Sequence, residues 1–181
     1  MRARGLRVLE TREPGGTALG ERVRAIFLDP GALVDARAEA LLLNAARAQL
    51  VRDEIAPALD AGEWVVSDRF ADSTLAYQGY GRGLDLSALR ALAAFATGAL
   101  EPRIVLLVDV PPDLSRARVR GRPGSEDRVE REDDAFHGRV REGYLALAAT
   151  DPRMRVLDGT LPPEALLEAA WVHLAREGGL A

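Results

Sequence analysis

A parallel α/β sheet covered by helices on both faces is the fold class this sequence predicts, on three observations. Short apolar runs at 7–11, 64–67, 104–110 and 154–157 alternate with stretches of helical periodicity, the pattern of strand–helix–strand crossovers. The run at 104–110 is apolar apart from Asp109, which suits a parallel strand buried on both faces. Two of the runs end in polar, glycine-rich segments, 11–17 and 68–83, at the place where open α/β sheets hold ligands.

Each element follows from local chemistry. After the strand at 7–11, Gly15 and Gly16 free a turn and Thr17 caps a helix running to Leu28, which Asp29-Pro30-Gly31 stops. From Asp35 or Ala36 to Asp60 a second helix places Leu41, Leu42, Ala45, Ala48, Ile55 and Leu59 at helical spacing, with a bend expected at Pro57. The strand at 64–67 leads into a short helix and a glycine-rich loop over 68–83. A helix over 87–97 closes at Gly98. Pro111-Pro112-Asp113 opens the next helix, which ends in the arginine run Arg116, Arg118, Arg120, Arg122 before Pro123-Gly124-Ser125. Asp133 or Asp134 starts a helix through Ala149, and 162–176 is the closing amphipathic helix.

At 181 residues and 48% hydrophobic content the chain is expected to be one domain, 1–181, with one core. It has no cysteine and no long apolar run in its first 30 residues, so disulfides, thiolate metal sites, a secretory signal and a membrane span are all unexpected, and a cytoplasmic protein is expected. The net charge of −4 argues against a nucleic-acid polymer as partner. All 24 basic side chains are arginine, and their clusters are better assigned to a small anion. His137 and His173 have no acidic or cysteine neighbours at ligand spacing, and no protein-only metal site is expected.

The segment from Val65 to Gly83 reads as an anion site with a base-binding floor. Asp68 closes an apolar run, Arg69 beside it can clamp a phosphate with its planar fork, and Ser73, Thr74, Tyr77 and Gln78 can read a small polar ring. Taken with Thr11-Arg12-Glu13-Pro14-Gly15-Gly16-Thr17, this segment closely resembles the bacterial thymidylate kinases, and the resemblance extends from about Leu6 to Leu174.

That resemblance implies a P-loop NTPase-type three-layer sandwich with a central parallel sheet, the nucleoside monophosphate kinase fold. It implies the reaction ATP + dTMP giving ADP + dTDP, with Mg²⁺ delivered by ATP, and a homodimer built through helices, the one at 36–60 among them. By the same resemblance Arg69 binds the acceptor phosphate and Asp68 orients it or helps hold the Mg²⁺ shell. Arg12 and Arg24 approach the same phosphate, and Glu13 lies near the sugar and phosphate. Arg47 donates to a thymine carbonyl, Thr74 and Gln78 surround the ring, and Tyr77 lies under the deoxyribose. Leu43 stands where the family has a stacking phenylalanine, which implies weaker acceptor affinity. Arg118, Arg120, Arg122 and Arg128 fall on the family's lid, about 118–130, over the donor phosphates.

One part of the family pattern is missing. Thymidylate kinases carry a strand and a loop of the form G-x-x-x-x-G-K-[ST], whose N–H groups and lysine hold the donor phosphates. This chain has no such loop and no lysine. The expectation is a chain that begins at an internal methionine, lacks the first central strand, and is inactive without its upstream segment. Two other readings compete: a non-catalytic nucleotide-binding or regulatory relative, and a deoxynucleoside kinase, against which Thr-Arg-Glu-Pro-Gly-Gly and Tyr77-Gln78-Gly79 speak.

Overall fold

A computed structural model of the chain describes residues 1–121 and 126–179. Four five-residue strands alternate with helices: β1 (Val8–Arg12), α1 (Ala18–Leu28), α2 (Ala36–Leu50), α3 (Ala56–Asp60), β2 (Trp64–Asp68), α4 (Ala71–Thr74), α5 (Leu86–Thr97), β3 (Val105–Asp109), α6 (Pro112–Arg120), α7 (Asp134–Thr150), β4 (Met154–Asp158) and α8 (Pro163–Gly178). The caps follow side-chain chemistry. Thr17, Asp35, Asp85 and Asp133 each accept a first-turn N–H of the helix that follows, and Gly98 ends α5 in the left-handed region.

Two stretches expected to be ordinary helix or loop are wider than α-helix. Val51–Ile55 is π-helical and joins α2 to α3. Pro57 has no N–H to give the carbonyl of Asp53, and Ala56 reaches back to Val51 instead, so the predicted bend is taken up as a wide turn. Leu75–Gly81 is also π-helical, where the sequence predicted a glycine-rich loop. The glycines there serve packing. A Cβ on Gly81 would stand 2.7 Å from Phe136, and one on Gly143 would stand 2.6 Å from the Tyr80 ring, so α7 lies directly on this segment.

The strands pair in parallel, as predicted, but in two sheets: β1 with β2, with Arg12 opposite Asp68, and β3 with β4, with Asp109 opposite Asp158. Consecutive residues of β2 and β3 line a cleft of about 1120 Å³. Val66 and Val108 are correspondingly exposed, although their sequence context reads as buried strand. Among the described residues Ala40, Leu75, Leu89, Leu147 and Met154 form one core cluster and Ala76, Phe136 and Val140 another. Among the described residues no helix is long and apolar enough to cross a membrane.

Candidate active site

The two strand-end segments meet because β1 and β2 are in register. Glu13 N–H donates to the Asp68 carbonyl (2.9 Å), extending the ladder past Arg12, and the Glu13–Pro14 peptide is cis. Gly16 has φ +77°, and a Cβ on Gly20 would meet the Gly15 carbonyl at 2.4 Å, so the first turn of α1 can press against this loop only because glycine stands there.

The chain turns Glu13 inward. Its carboxylate accepts from Arg47 Nε at 3.0 and 2.9 Å and from Nη2 at 2.7 Å, both side chains almost wholly buried. Arg47 also donates to Asn44 Oδ1, Thr74 Oγ1 and the Phe70 carbonyl. Burial raises the Glu13 carboxyl above its ordinary value, and the Arg47 charge and hydrogen bond offset part of that rise. Sequence reasoning placed Glu13 and Arg47 near a ligand separately; the structure makes them one ion pair joining β1, α2 and α4.

At the other strand end Arg69 takes a left-handed backbone, φ +73°, uncommon for a side chain of this size. Its Nη2 donates to Tyr77 Oη (3.2 Å), and the guanidinium lies 4.8 Å from the Tyr77 ring centre. Tyr77 is held edge-on by Phe136 and Tyr144. Tyr144 Oη donates to Ser73 Oγ at 2.7 Å, and burial pushes its phenol up to about 12. Asp68, Arg69, Ser73, Tyr77 and Tyr144 therefore share one wall of the cleft, and Arg116 and Arg120 line it too.

Arg12 and Arg24 hold the loop itself. Arg12 pairs with Glu21 at 3.1 Å, both exposed, and Arg24 donates to the Pro14 carbonyl. Glu21 also accepts the Gly16 N–H; that bond, opposed by desolvation and helped to a smaller extent by Arg12, holds its carboxyl below the usual range. Gly16 thus binds a carboxylate of this chain. Beside them Arg12, Gly16 and Asp68 line a smaller hollow of about 450 Å³.

The thymidylate kinase family profile matches residues 1–170. The chain belongs to the thymidylate kinase family. It is 56% identical to the thymidylate kinase of Carboxydothermus hydrogenoformans over 154 residues, covering 85% of this chain and 75% of that one. It is 49% identical to that of Deinococcus radiodurans over 181 residues, 98% of this chain and 86% of the relative, and 50% identical to that of Thermomicrobium roseum over 172 residues, covering 94% and 81%. Membership sets the fold as that of the P-loop nucleoside monophosphate kinases and the enzyme class as a phosphotransferase.

Within this thymidylate kinase chain the remaining expected site residues separate. Leu43 is half-buried on α2, midway between Glu39 and Arg47 at helical spacing. Gln78 is buried and donates to Glu39 Oε2 (3.0 Å). Arg118 donates to the Gly159 carbonyl (3.0 Å), Arg120 lines the cleft, and Arg122 lies outside the described residues. Arg128, expected over donor phosphates, is docked on α2 in this structure: Nη1 meets Glu39 Oε1 at 2.6 Å and Nε donates to the Phe27 carbonyl. The cause is Glu39, a buried carboxylate that needs cations. Sequence reasoning missed Glu39, Asn44, Arg82 and Tyr144. The available signal was the spacing Glu39, Leu43, Arg47, which puts the carboxylate on the same helix face as the arginine.

Proposed function

We propose that this chain forms the acceptor side of an enzyme that transfers the terminal phosphoryl group of ATP to dTMP, giving ADP and dTDP. Arg69 is the observation behind this reading. Its guanidinium leaves the end of β2, rests on Tyr77 and lines the cleft. A planar, permanently charged fork held against an aromatic face suits a phosphate monoester. Arg12 would join it, since its exposed pairing with Glu21 is weak enough to exchange for a phosphate. Arg24, held on the Pro14 carbonyl, would support that loop. Tyr77 and Ser73 would border the sugar, and Thr74, Arg47 and Leu43 the ring. Asp68 would orient Arg69 from the neighbouring position.

The donor side makes a demand these residues do not meet alone. A triphosphate requires consecutive backbone N–H groups and a lysine, and this sequence has neither a G-x-x-x-x-G-K-[ST] loop nor any lysine. No three His, Cys, Asp or Glu side chains among the described residues gather into a site for Mg²⁺. We infer that a strand carrying such a loop occupies the cleft between β2 and β3, and that the 181 residues by themselves do not transfer phosphate. Arg118 and Arg120, on the 118–130 lid segment, would then face the donor.

The test compares the 181-residue chain with a version extended at its amino end by a family strand and phosphate loop. Calorimetry is expected to show dTMP binding to both and coupled-assay turnover only in the extended form. Comparable turnover from the two would remove the need for the added strand, and absence of dTMP binding in both would remove the acceptor assignment.

A further inference from the structure

Glu39 is a carboxylate with 1% of its surface exposed, inside a helix whose neighbouring positions are alanine and leucine. It is fully engaged. Oε1 accepts from Arg128 Nη1 (2.6 Å) and Arg82 Nη2 (3.1 Å), while Oε2 accepts from Gln78 Nε2 (3.0 Å) and Arg82 Nε (3.3 Å). Arg82 is shared in turn with Glu132 at 2.6 Å and lies over the Phe136 ring. One carboxylate thus holds three elements: the π-helical segment bearing Gln78, its exit at Arg82, and the turn bearing Arg128.

That turn is also held through Glu132 on Arg82 and through backbone bonds. Asp127 Oδ1 accepts from the Val129 and Glu130 N–H groups, and Arg128 N–H donates to the Leu28 carbonyl at the end of α1. The guanidinium of Arg128 is its deepest anchor, 5.1 Å from the Phe27 ring.

Two buried side-chain atoms without a hydrogen-bond partner among the described residues are Gln78 Oε1 and Arg128 Nη2. Both belong to side chains that Glu39 grips. A buried charge cluster left partly unsatisfied is a poor way to stabilise a core, and apolar residues of similar volume often do it better. Its arrangement serves position. On α2, Glu39 and Arg47 lie eight residues apart on one face. On the facing helix, Thr74 and Gln78 lie four apart. Arg47 meets Thr74 and Glu39 meets Gln78, so two polar clamps fix the spacing of the helices on either side of Leu43.

We propose that Glu39 is a positioning residue that ties the Arg128 turn to the helix pair bordering the acceptor base, so that loosening the turn weakens the acceptor. The affinity part rests on the dTMP reading above; the anchoring part does not. Through a shared carboxylate, a change at Arg128 reaches Gln78 by way of Glu39 and Arg82, without Arg128 touching the ligand.

The experiment uses the 181-residue chain as wild type, Arg128→Met, Arg128→Lys and Glu39→Gln, with hydrogen exchange in the free state and calorimetric titration of dTMP. In Arg128→Met, exchange in 126–132 is expected to quicken about tenfold or more with 86–97 unchanged, the sign of local rather than global opening. The same variant is expected to bind dTMP about fivefold or more weakly, the low end of ordinary coupling between sites. Arg128→Lys, which keeps a positive charge directed at Glu39, is expected to recover most of that affinity. Unchanged exchange in 126–132, or wild-type dTMP affinity in Arg128→Met, would overturn the proposal. If wild type binds no dTMP the acceptor reading fails, and the exchange data still decide whether Arg128 anchors the turn. Should Glu39→Gln fail to fold, the Arg128 pair gives both answers.

Discussion

Arg47 Nη2 lies 2.7 Å from Glu13 Oε2, the side chains 2% and 6% exposed, so that one buried ion pair fastens the end of β1 to the middle of α2. Breaking such a pair from one side leaves an uncompensated buried charge, and about 3–5 kcal/mol of stability is expected to go with Arg47→Met. The loss depends on pH. Burial already raises Glu13 above its ordinary 4.5, and Arg47 holds that rise back. Without Arg47 the folded carboxyl rises further. A raised carboxyl favours the fold below 4.5, and that benefit is lost as pH climbs through the folded value. Urea titrations of the variant are therefore expected to show a smaller deficit at pH 4.5 than at pH 7.5; a deficit equal at both would mean that Glu13 is not the group left stranded.

Arg69→Ala is expected to weaken dTMP binding by about 10- to 100-fold, the worth of a charge-assisted bond of about 1.5–3 kcal/mol. Binding of thymidine, which has no phosphate, is expected to change little. Calorimetry with the two ligands separates them, and equal losses would place Arg69 under the nucleoside instead.

Asp109 and Arg141 make the opposite pH prediction. Two bonds from Arg141, at 2.7 and 2.8 Å, hold Asp109 below its ordinary 3.8, with desolvation working against them. A lowered carboxyl stabilises the fold above the unfolded value and loses that contribution as pH falls through the folded one. Arg141→Gln is expected to cost under about 1 kcal/mol near neutrality, since Arg141 is partly exposed and solvent screens the pair. The difference from wild type should vanish below the Asp109 titration. A thermal-melt series from pH 7 to pH 2 reads this directly, and a gap that persists at pH 2 would assign the loss to packing.

Leu43→Phe is expected to tighten dTMP by about 1 kcal/mol, the lower part of the range for base stacking on an aromatic ring. In the extended, active form the gain should appear in KM, because the base is held alike in ground and transition states. A lower melting temperature with unchanged affinity would show that Leu43 packs in the core, where overfilling costs about 1–3 kcal/mol.

Sequence alone determined what local chemistry decides. The helix starts at Thr17, Asp35 and Asp133, the stop at Gly98 and the positions of all four strands follow from residues within a turn of each other, and the two strand-end segments that resemble the thymidylate kinases were visible as contiguous strings. Tertiary structure decided what depends on partners far away in the chain. Gly79 and Gly81 read as loop residues because glycine disfavours helix, yet they lie in a π-helical segment, where Leu86 and Phe136 leave no room for a Cβ. In the sequence Glu39 is one charge among the residues of a helix; only the approach of Gln78, Arg82 and Arg128 from 39 to 89 residues away makes it a buried hub. The same holds for the sheet. Apolar runs announce strands, but whether β2 and β3 join or face each other across a cleft is settled by which backbone edges find hydrogen-bond partners, and a strand's own residues do not encode that.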